Sequence, residues 1–419
     1  MSLISFKDYK IDEIGEVFSG GTPKTSVNSY WEGEIGWITP KDLSTYSNIY
    51  ISKGERNITQ EGLDNSSAKL VPKNTVLMTS RAPIGYIAIA KNELSTNQGF
   101  KSLFCDETIC HYKYFYYWLK LNINYIINNA NGSTFKEISG STFKNLTISL
   151  PSLENQKRIS SILWNIDEKI ENLNKINHNL EEIIKKIYIN WFEDFEPFKN
   201  EEFFDTKLGK IPVGWKVEPL QDFIKFQEGP GIRNWQYVEE DGVNFLNIRC
   251  IQDNDLILDT ANMISKEEAE GKYSHFMLNE WDIVISSSGT LGRYAIVRKE
   301  HLPLCLNTSI IRFAPMHSFN HFAYVFSYLT SRSFYHYLLT MGSGSVQLNF
   351  GPTHLKQIDL IVPPEEVLNE YNNLIFPLIE KMKSLKSEID QLIKLRDTLL
   401  PKLMSGEIDV SQINCCLMK

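Results

Sequence analysis

The chain has 419 residues, of which 42% are hydrophobic and 22% charged, and its formal net charge is −8 at pH 7. This composition is typical of a globular protein with two or three domains, and the acidic balance argues against a nucleic-acid binder that is basic over its whole surface. No stretch approaches the roughly 18 consecutive apolar residues of a membrane span, and MSLISFKDYK at the start has no apolar segment behind a basic one. We therefore expect a cytoplasmic protein without a membrane-spanning segment.

An internal repeat occurs at three places in the same order along the chain. YKIDEIGEVFSGG near the start resembles WKVEPLQDFIKFQEG in the second half. LMTSRAPIGYIAIA resembles VISSSGTLGRYAIV, and Gly85 precedes its counterpart Gly292 by 207 residues. NGSTFKEISGSTFKNLTISLP resembles GSGSVQLNFGPTHLKQIDLIVP, and Pro151 precedes Pro363 by 212 residues. Because these offsets differ by only a few residues, the repeat predicts that the two halves share a fold.

Each half continues into a helix with apolar residues at alternating steps of four and three. Such a sustained period is typical of a coiled coil, whereas a helix that packs only on its own domain needs a broader stripe. The first helix has Ile159, Leu163, Ile166, Ile170, Leu173, Asn177, Leu180, Ile184, Ile187 and Trp191 in its stripe. The second has Leu368, Tyr371, Ile375, Leu378, Met382, Leu385, Ile389, Leu392, Arg396, Leu399 and Leu403.

Polar residues interrupt both stripes, and a proline lies in the second. Asn177 and Arg396 occupy positions at which polar residues cost stability and can fix the register. Because proline favours the first turn of a helix, we expect the second continuous helix to begin near Pro377.

Two similar halves related by a pseudo-twofold axis, each continuing into one helix at the same place, predict an antiparallel pair of helices. Residues 166–191 would form a rod of about 38 Å, close to the roughly 34–36 Å of one DNA turn. Tyr188, Trp191 and Phe192 exceed what one helical seam needs, so they either pack against the second domain or contact a partner subunit. The predicted fold is α+β, with two pseudo-symmetric globular α/β domains joined by two long antiparallel helices that form a coiled coil.

The search for catalytic and metal-binding motifs favours a binding protein. SSGTLGRYA and SGGTPKTS each lack part of the phosphate-binding pattern GxxxxGK[ST], and Pro363-Pro364 does not form the tetrapeptide of adenine methyltransferases. The six cysteines contain no CxxC pair, which is typical of reduced thiols. The cluster of Cys105, Cys110 and His111 has no second ligand pair, so we expect no metal site and no catalytic residue.

Three motifs resemble the specificity subunit of type I restriction–modification enzymes. RDTLLPKLMSGEI (Arg396 to Ile408) is the most specific of them, and WITPKDL and PSLENQKRISSIL support it. The resemblance covers nearly the whole chain. It implies two target recognition domains at residues 1–150 and 201–362, conserved helical regions at 151–200 and 363–410, and a tail at 411–419.

The resemblance also implies a function and partners. Each recognition domain would read one half of a bipartite sequence in double-stranded DNA, and the helices would set the gap and dock two methyltransferase subunits. The complex would methylate adenine N6 with S-adenosylmethionine, and restriction/translocase subunits would add ATP-dependent cleavage. The chain itself would carry no cofactor, because S-adenosylmethionine, ATP and Mg²⁺ are expected on the partner subunits.

Polar residues in Gly- and Ser-rich loops are the candidate DNA contacts, since such side chains bind base edges and phosphates. These loops can also be ordinary turns. The Arg81 and Arg293 loops are the preferred candidates. The first half contributes Lys24, Thr39, Lys41, Thr79, Ser80, Arg81, Asn97, Gln98, Ser133, Thr134 and Lys136. The second half contributes Arg233, Asn234, Asn247, Arg249, Ser286, Ser287, Ser288, Arg293, Asn307, Ser343, Ser345 and Gln347.

The acidic character of the second half complicates DNA binding. Residues 201–362 hold 14 basic and 19 acidic side chains, whereas neutralisation of phosphates usually dominates affinity. Either the charges segregate or partner subunits supply much of the backbone binding, so we expect the isolated chain to bind DNA weakly. The alternatives are a coiled-coil adaptor for two protein ligands and, less favoured, a self-contained DNA methyltransferase or nuclease.

Overall fold

The computed structural model describes residues 5–44, 46, 48–132, 136–341 and 349–411. The chain divides into two compact units. The first unit comprises residues 1–172 and 390–419, and the second comprises residues 173–389. The domain boundaries predicted from the sequence follow the helices rather than these units, and they stay a prediction.

The first unit combines a five-stranded sheet, a four-stranded sheet and a two-stranded pair. Its strands are β1 Lys7–Lys10, β2 Gly15–Ser19, β3 Trp31–Ile38, β4 Tyr50–Ile51, β5 Arg56–Ile58, β6 Leu70–Val71, β7 Val76–Ser80, β8 Ile84–Ala90, β9 Leu94–Thr96, β10 Phe100–Cys105 and β11 Thr147–Leu150. Its helices are α1 Pro40–Ser44, α2 Gln60–Asp64, α3 Tyr112–Leu121, α4 Ile123–Asn128 and α5 Gly140–Asn145, followed by the start of α6 Leu153–Tyr188.

The larger sheet of the first unit has the order β2-β10-β7-β8-β4, and the smaller has the order β5-β3-β9-β6. Strands β7 and β10 lie inside the larger sheet, and every residue of β7 is buried. This burial explains why β7 reads as the apolar run VLM followed by two small polar residues. The pair β1·β11 joins the start of the repeat to the segment that precedes α6.

The second unit contains two four-stranded sheets and three two-stranded pairs. Its strands are β12 Phe203–Thr206, β13 Gly209–Pro212, β14 Lys216–Pro219, β15 Ile224–Glu228, β16 Tyr237–Val238, β17 Gly242–Phe245, β18 Ile251–Gln252, β19 Asp255–Leu256, β20 Asn262–Ser265, β21 Ile283–Ser286, β22 Tyr294–Ile296, β23 Leu304–Cys305, β24 Ile310–Pro315 and β25 Asp359–Val362. Its helices are α7 Leu220–Phe223, α8 Lys266–Glu270, α9 Phe322–Leu329, α10 Arg332–Met341, α11 Pro352–Leu355 and most of α12 Glu365–Met404.

The two units repeat one strand plan, which confirms the shared fold predicted from the sequence. One sheet of the second unit has the order β15-β24-β21-β22, which corresponds to β2-β10-β7-β8. In the other sheet, the parallel pair β17·β23 corresponds to the parallel pair β3·β9. The pair β14·β25 corresponds to β1·β11, and it likewise leads into a long helix.

Helices α6 and α12 pair in antiparallel fashion within the first unit. Ile159 and Leu163 of α6 belong to the same buried cluster as Leu400 and Leu403 of α12. Further along α6, Asp167 accepts a hydrogen bond from Arg396 at 2.8 Å. As residue numbers rise along α6, those of the neighbouring α12 residues fall, as in the predicted coiled coil.

In the second unit, the end of α6 and the helical turn Ile189–Glu193 that follows it pack against the beginning of α12. Ile184, Tyr188 and Phe192 share a buried cluster with Tyr371 and Ile379. The Phe192 ring lies 4.7 Å from the Tyr371 ring, measured between centroids. Of the two readings left open for the aromatic residues that follow Ile187, the structure therefore favours packing against the second domain.

Helix α12 begins twelve residues before the predicted start at Pro377, so that prediction is wrong. Pro377 is exposed inside the helix, where its ring has room on the solvent side. The cost of one missing backbone hydrogen bond is outweighed by burial of Leu368, Tyr371 and Ile375 in the turns before it. Within the described ranges, every helix is too short or too polar to span a lipid bilayer.

Candidate nucleic-acid interface

In each unit, one hydroxyl group closes the loop between two central strands. Thr79 Oγ1 donates to the Pro83 carbonyl at 2.8 Å and accepts from the backbone N–H of Tyr86 at 2.9 Å. Ser286 Oγ donates to the Thr290 carbonyl at 2.5 Å and accepts from the backbone N–H of Arg293 at 3.0 Å. Both hydroxyls are thus committed to holding their loop, and both residues are buried.

The loops contain glycines that the backbone conformation requires. Gly85 has φ +110° and Gly292 has φ +77°, which L side chains rarely adopt. A Cβ atom at Gly85 would also approach Ile123 to 2.5 Å, and one at Gly292 would approach Tyr335 to 2.7 Å. The matched glycines in the sequence repeat therefore mark matched turns.

Ser80 and Ser287 each connect three segments through their backbones. Ser80 donates its N–H to the Gly99 carbonyl and accepts from the Ile138 N–H, and Ser287 does the same with Ser309 and Phe350. Both side chains are buried, and neither hydroxyl has a partner among the described residues. Thr79, Ser80, Ser286 and Ser287 therefore hold the loops in place, and direct DNA contact by these four residues stays a prediction.

A third segment in each unit is a turn stabilised by an asparagine. Asn97 Oδ1 accepts from the Gly99 N–H at 2.8 Å, and Asn307 Oδ1 accepts from the Ser309 N–H at 2.9 Å. Both asparagines are half-buried, and the neighbouring Gln98 is exposed and hydrogen-bonded to Thr22. These asparagines therefore position the loop backbone.

The loops held by Thr79, Ser80 and Asn97 form what we call the first unit's loop cluster. Arg81 and Glu137 lie at its exposed edge, the rim. Their backbones make an isolated antiparallel bridge, and Arg81 Nη1 lies 3.4 Å from Glu137 Oε2. The two side chains are 40% and 44% exposed. Beside them, a groove of about 540 Å³ is lined by Ala82, Pro83, Ile84, Ile127 and Lys136. An apolar wall next to charged side chains suits the edge of a nucleobase.

A buried lysine lies near this ion pair. Lys101 Nζ donates to the Phe100 carbonyl at 3.2 Å, and burial lowers the pKa of Lys101 while Glu137 raises it and Arg81 lowers it. The sequence search missed Lys101 and Glu137. Glu137 precedes Asn349 by the repeat offset of 212 residues, and the sequence search named neither of them.

Ser288 and Asn349 form the corresponding rim in the second unit. They also make an isolated antiparallel bridge, with Ser288 half-buried and Asn349 exposed. Arg293 follows in the same loop, where it is exposed and its Nη1 donates to the Ile251 carbonyl at 3.4 Å. Asn349 was not among the predicted contacts.

The remaining candidates of the first unit lie in separate segments, and Lys41 belongs to helix α1. Lys24 and Lys136 are exposed, and Lys136 Nζ lies 3.5 Å from the Ile127 carbonyl oxygen. Lys41 is also exposed, but it pairs with Glu55 at 2.7 Å. Thr39 donates its hydroxyl to Asp42 at 2.6 Å, so this side chain holds the start of α1.

The second unit presents a further exposed loop around Trp235. Arg233 and Asn234 are exposed. Trp235, which follows them, has 81% of its surface exposed. Arg249 is exposed, whereas Asn247 donates to the Thr260 carbonyl at 3.0 Å and accepts from the Arg249 N–H. The structure thus brings Ser288, Arg293 and Asn307 to neighbouring loops by shared backbone contacts, while DNA contact by any of these residues stays a prediction.

Five predicted contacts lie outside the described residues. They are Ser133, Thr134, Ser343, Ser345 and Gln347.

Comparison with known proteins decides the family. Residues 4–182 and residues 212–394 each match the type I restriction modification DNA specificity domain. The chain belongs to the family of type I restriction–modification specificity subunits. Such subunits carry DNA sequence specificity and are non-catalytic, so the chain is a DNA sequence-specificity subunit and not an enzyme.

Specificity subunits from several organisms resemble this chain over most of its length. The type I restriction enzyme MjaIX specificity subunit of Methanocaldococcus jannaschii is 39% identical over 96% of this chain and 94% of its own length. The HindI specificity subunit of Haemophilus influenzae is 22% identical over 68% of this chain and 73% of its own length. The crystal structure of the type I restriction-modification system S subunit from M. genitalium has a TM-score of 0.56 at 20% identity and covers 96% of both chains, which shows the shared fold.

The structure shows where the residues of the one candidate metal cluster considered in the sequence lie. In the described part of the chain, no three or more His, Cys, Asp or Glu side chains are grouped so that they could hold a metal ion. Cys105 and Cys110 are buried, and His111 Nδ1 lies 3.1 Å from Ser160 Oγ. Both cysteines belong to the buried core of the first unit, and the expectation of no metal site stays a prediction.

Proposed function

We propose that each unit reads one half of a bipartite DNA sequence through its loop cluster. The observation that carries this proposal is the duplication of the cluster. Thr79, Ser80 and Asn97 hold the loops of one unit by the same bonds as Ser286, Ser287 and Asn307 in the other. The two units share one loop scaffold but carry different residues at its rim. Each unit can therefore contact DNA in the same way and still recognise a different base sequence.

The two long helices serve as the ruler between the half-sites and as the docking surface for partners. Two methyltransferase subunits bind the chain, and restriction/translocase subunits complete the cleaving complex in the cytoplasm. S-adenosylmethionine, ATP and Mg²⁺ bind to these partners rather than to this chain. The family membership and the paired heptad stripes support this assignment.

The test is to express the chain with the methyltransferase subunits of its own system in a host without other adenine methylation. Sequencing of modified bases should reveal N6-methyladenine in one bipartite motif with a fixed gap. A host that carries the methyltransferase subunits alone is the control and should lack this motif. Methylation by the purified chain alone, or a continuous motif without a gap, would contradict the proposal.

A further inference from the structure

Two isolated bridges occupy the same place in the repeated fold but carry different side chains. Arg81 bridges Glu137 in the first unit, and Ser288 bridges Asn349 in the second. Arg81 precedes Ser288 by 207 residues, the offset that also relates Ser80 to Ser287. Glu137 precedes Asn349 by 212 residues, the offset that relates Ile138 to Phe350.

The backbone around the two bridges is the same. The Ile138 N–H donates to the Ser80 carbonyl at 3.0 Å, and the Phe350 N–H donates to the Ser287 carbonyl at 3.1 Å. The residues next to the bridges, Ser80 and Ile138 in one unit and Ser287 and Phe350 in the other, are buried. The side chains of the bridge residues themselves are half-exposed or exposed. A constant backbone under variable, accessible side chains is the arrangement that sequence readout requires, because the position is fixed while the chemistry changes.

The side chains differ in the base pair that they can recognise. An arginine can donate two hydrogen bonds to guanine O6 and N7, and a glutamate can accept one from cytosine N4. In the first unit, Glu137 lies 3.4 Å from one terminal nitrogen of Arg81, which orients the guanidinium and leaves its other N–H groups available. In the second unit, an asparagine can bind adenine N6 and N7, and a serine can bind either purine.

We propose that Arg81 and Glu137 read a G·C base pair in one half-site. Ser288 and Asn349 read an A·T base pair at the corresponding place in the other half-site. This assignment rests on the proposed function, since it presumes that each unit reads one half of a bipartite target. Arg81 and Asn349 contact the purine of each pair. Glu137 lies 3.4 Å from Arg81 Nη1, and Ser288 lies beside Asn349 through the backbone bridge.

The experiment uses the full chain in complex with its methyltransferase subunits. Once the target is known, binding and methylation are measured on duplexes in which one base pair at a time is replaced. The double variant Arg81→Ser/Glu137→Asn should lower the preference for G·C at one position of one half-site by roughly 5- to 100-fold and leave the other half-site unaltered. The reciprocal variant Ser288→Arg/Asn349→Glu should change the preference at one position of the other half-site.

Two further variants keep the test decisive. Arg81→Lys retains the charge but loses the two-pronged contact, so it should relax the same position even if the double variant fails to assemble. Lys136→Ala, on the adjacent exposed lysine, should weaken binding to all sequences equally and reduce the salt dependence by about one ion.

Unaltered base preference at every position in an assembled Arg81→Lys complex would overturn this inference. So would a loss that is uniform over all sequences, or one that appears in both half-sites. If the unmodified complex lacks a bipartite target, the proposed function itself fails. The two failures are therefore distinguishable.

Discussion

At the scale of single residues, the Asp167 carboxylate connects helix α6 both to helix α12 and to helix α3 in the core of the first unit. Asp167 of α6 accepts from Arg396 of α12 at 2.8 Å and from the Tyr117 hydroxyl of α3 at 2.6 Å. Asp167 is only 4% exposed. A buried charge without a partner is costly. Arg396, the polar residue that interrupts the apolar stripe of α12, therefore stabilises only the register of the two helices in which it contacts Asp167.

Removal of that partner should destabilise the first unit. Arg396→Ala removes the arginine that donates to the buried Asp167 carboxylate, so we expect a loss of about 3 kcal/mol in the free energy of unfolding. The measurement is denaturant unfolding followed by circular dichroism. Lys41→Ala, which removes an ion pair with side chains 78% and 67% exposed, is the matched control and should cost less than about 1 kcal/mol. Equal effects of the two substitutions would refute this account of Asp167.

A buried histidine in the second unit makes stability depend on pH. Burial, together with the nearby charge of Arg298, lowers the pKa of His301 to about 4. The His301 Nδ1 accepts from the Arg298 backbone N–H at 3.1 Å, which requires the neutral ring. The unfolded chain binds a proton on this residue near pH 6.5, whereas the folded chain does not, so stability falls as pH decreases from about 6.5 to about 4.

The variant His301→Gln cannot titrate, so its unfolding temperature should fall less than that of the unmodified chain between pH 7 and pH 4.5. His111 in the first unit has the same sign, because burial lowers its pKa to about 4 as well. His178→Gln, the same replacement at an exposed position, is the control for the substitution itself. An identical slope in His301→Gln and the unmodified chain would show that His301 does not contribute.

At the scale of elements, α12 continues through a proline that ought to interrupt it. Pro377 cannot donate to the carbonyl of Asn373, one turn earlier, and yet the helix extends from Glu365 to Met404. Ile375 and Ile379 on either side are buried in the second unit's core. Tertiary packing therefore maintains the helix at a point where its local sequence does not.

Pro377→Ala should restore the missing hydrogen bond and raise the free energy of unfolding by about 1–3 kcal/mol. The exposed position means that no core contact is removed along with the ring. Glu380→Ala, three residues later on the exposed surface, is the control, and we expect it to change stability by less than about 0.5 kcal/mol. A lower unfolding midpoint in Pro377→Ala would mean that the proline stabilises a required bend.

At the scale of the whole molecule, the chain consists of one fold used twice and of two helices that each enter both units. The proposed function gives these helices the role of a ruler. A ruler has a length, so changing the number of helical turns should change the gap in the DNA target and nothing else about it.

Deletion of one heptad from each helix, residues 172–178 and residues 389–395, keeps the phase of both apolar stripes. The rise of about 1.5 Å per residue shortens each helix by about 10 Å, which corresponds to roughly three base pairs. We expect the half-site sequences to stay the same while the gap shortens by about that number, as measured by sequencing of methylated adenines. Deletion from α6 alone is the control and should abolish assembly. An unchanged gap in the double deletion would favour the adaptor alternative.

The sequence by itself determined the repeat, the helix pair and the family. Matched glycines such as Gly85 and Gly292 could be recognised because a backbone with positive φ admits few other residues. The apolar stripes could be recognised because helical spacing is a local property, and RDTLLPKLMSGEI is specific enough to imply the family. These features depend on residues that lie near each other in the chain.

Only the tertiary structure decided which polar residues are accessible. Thr79, Ser80 and Ser286 read as loop residues in the sequence, but strand pairing buries them. Glu137 gains importance because it bridges Arg81, 56 residues earlier in the chain. Burial and pairing depend on contacts between residues far apart in the chain, and local composition does not encode those contacts.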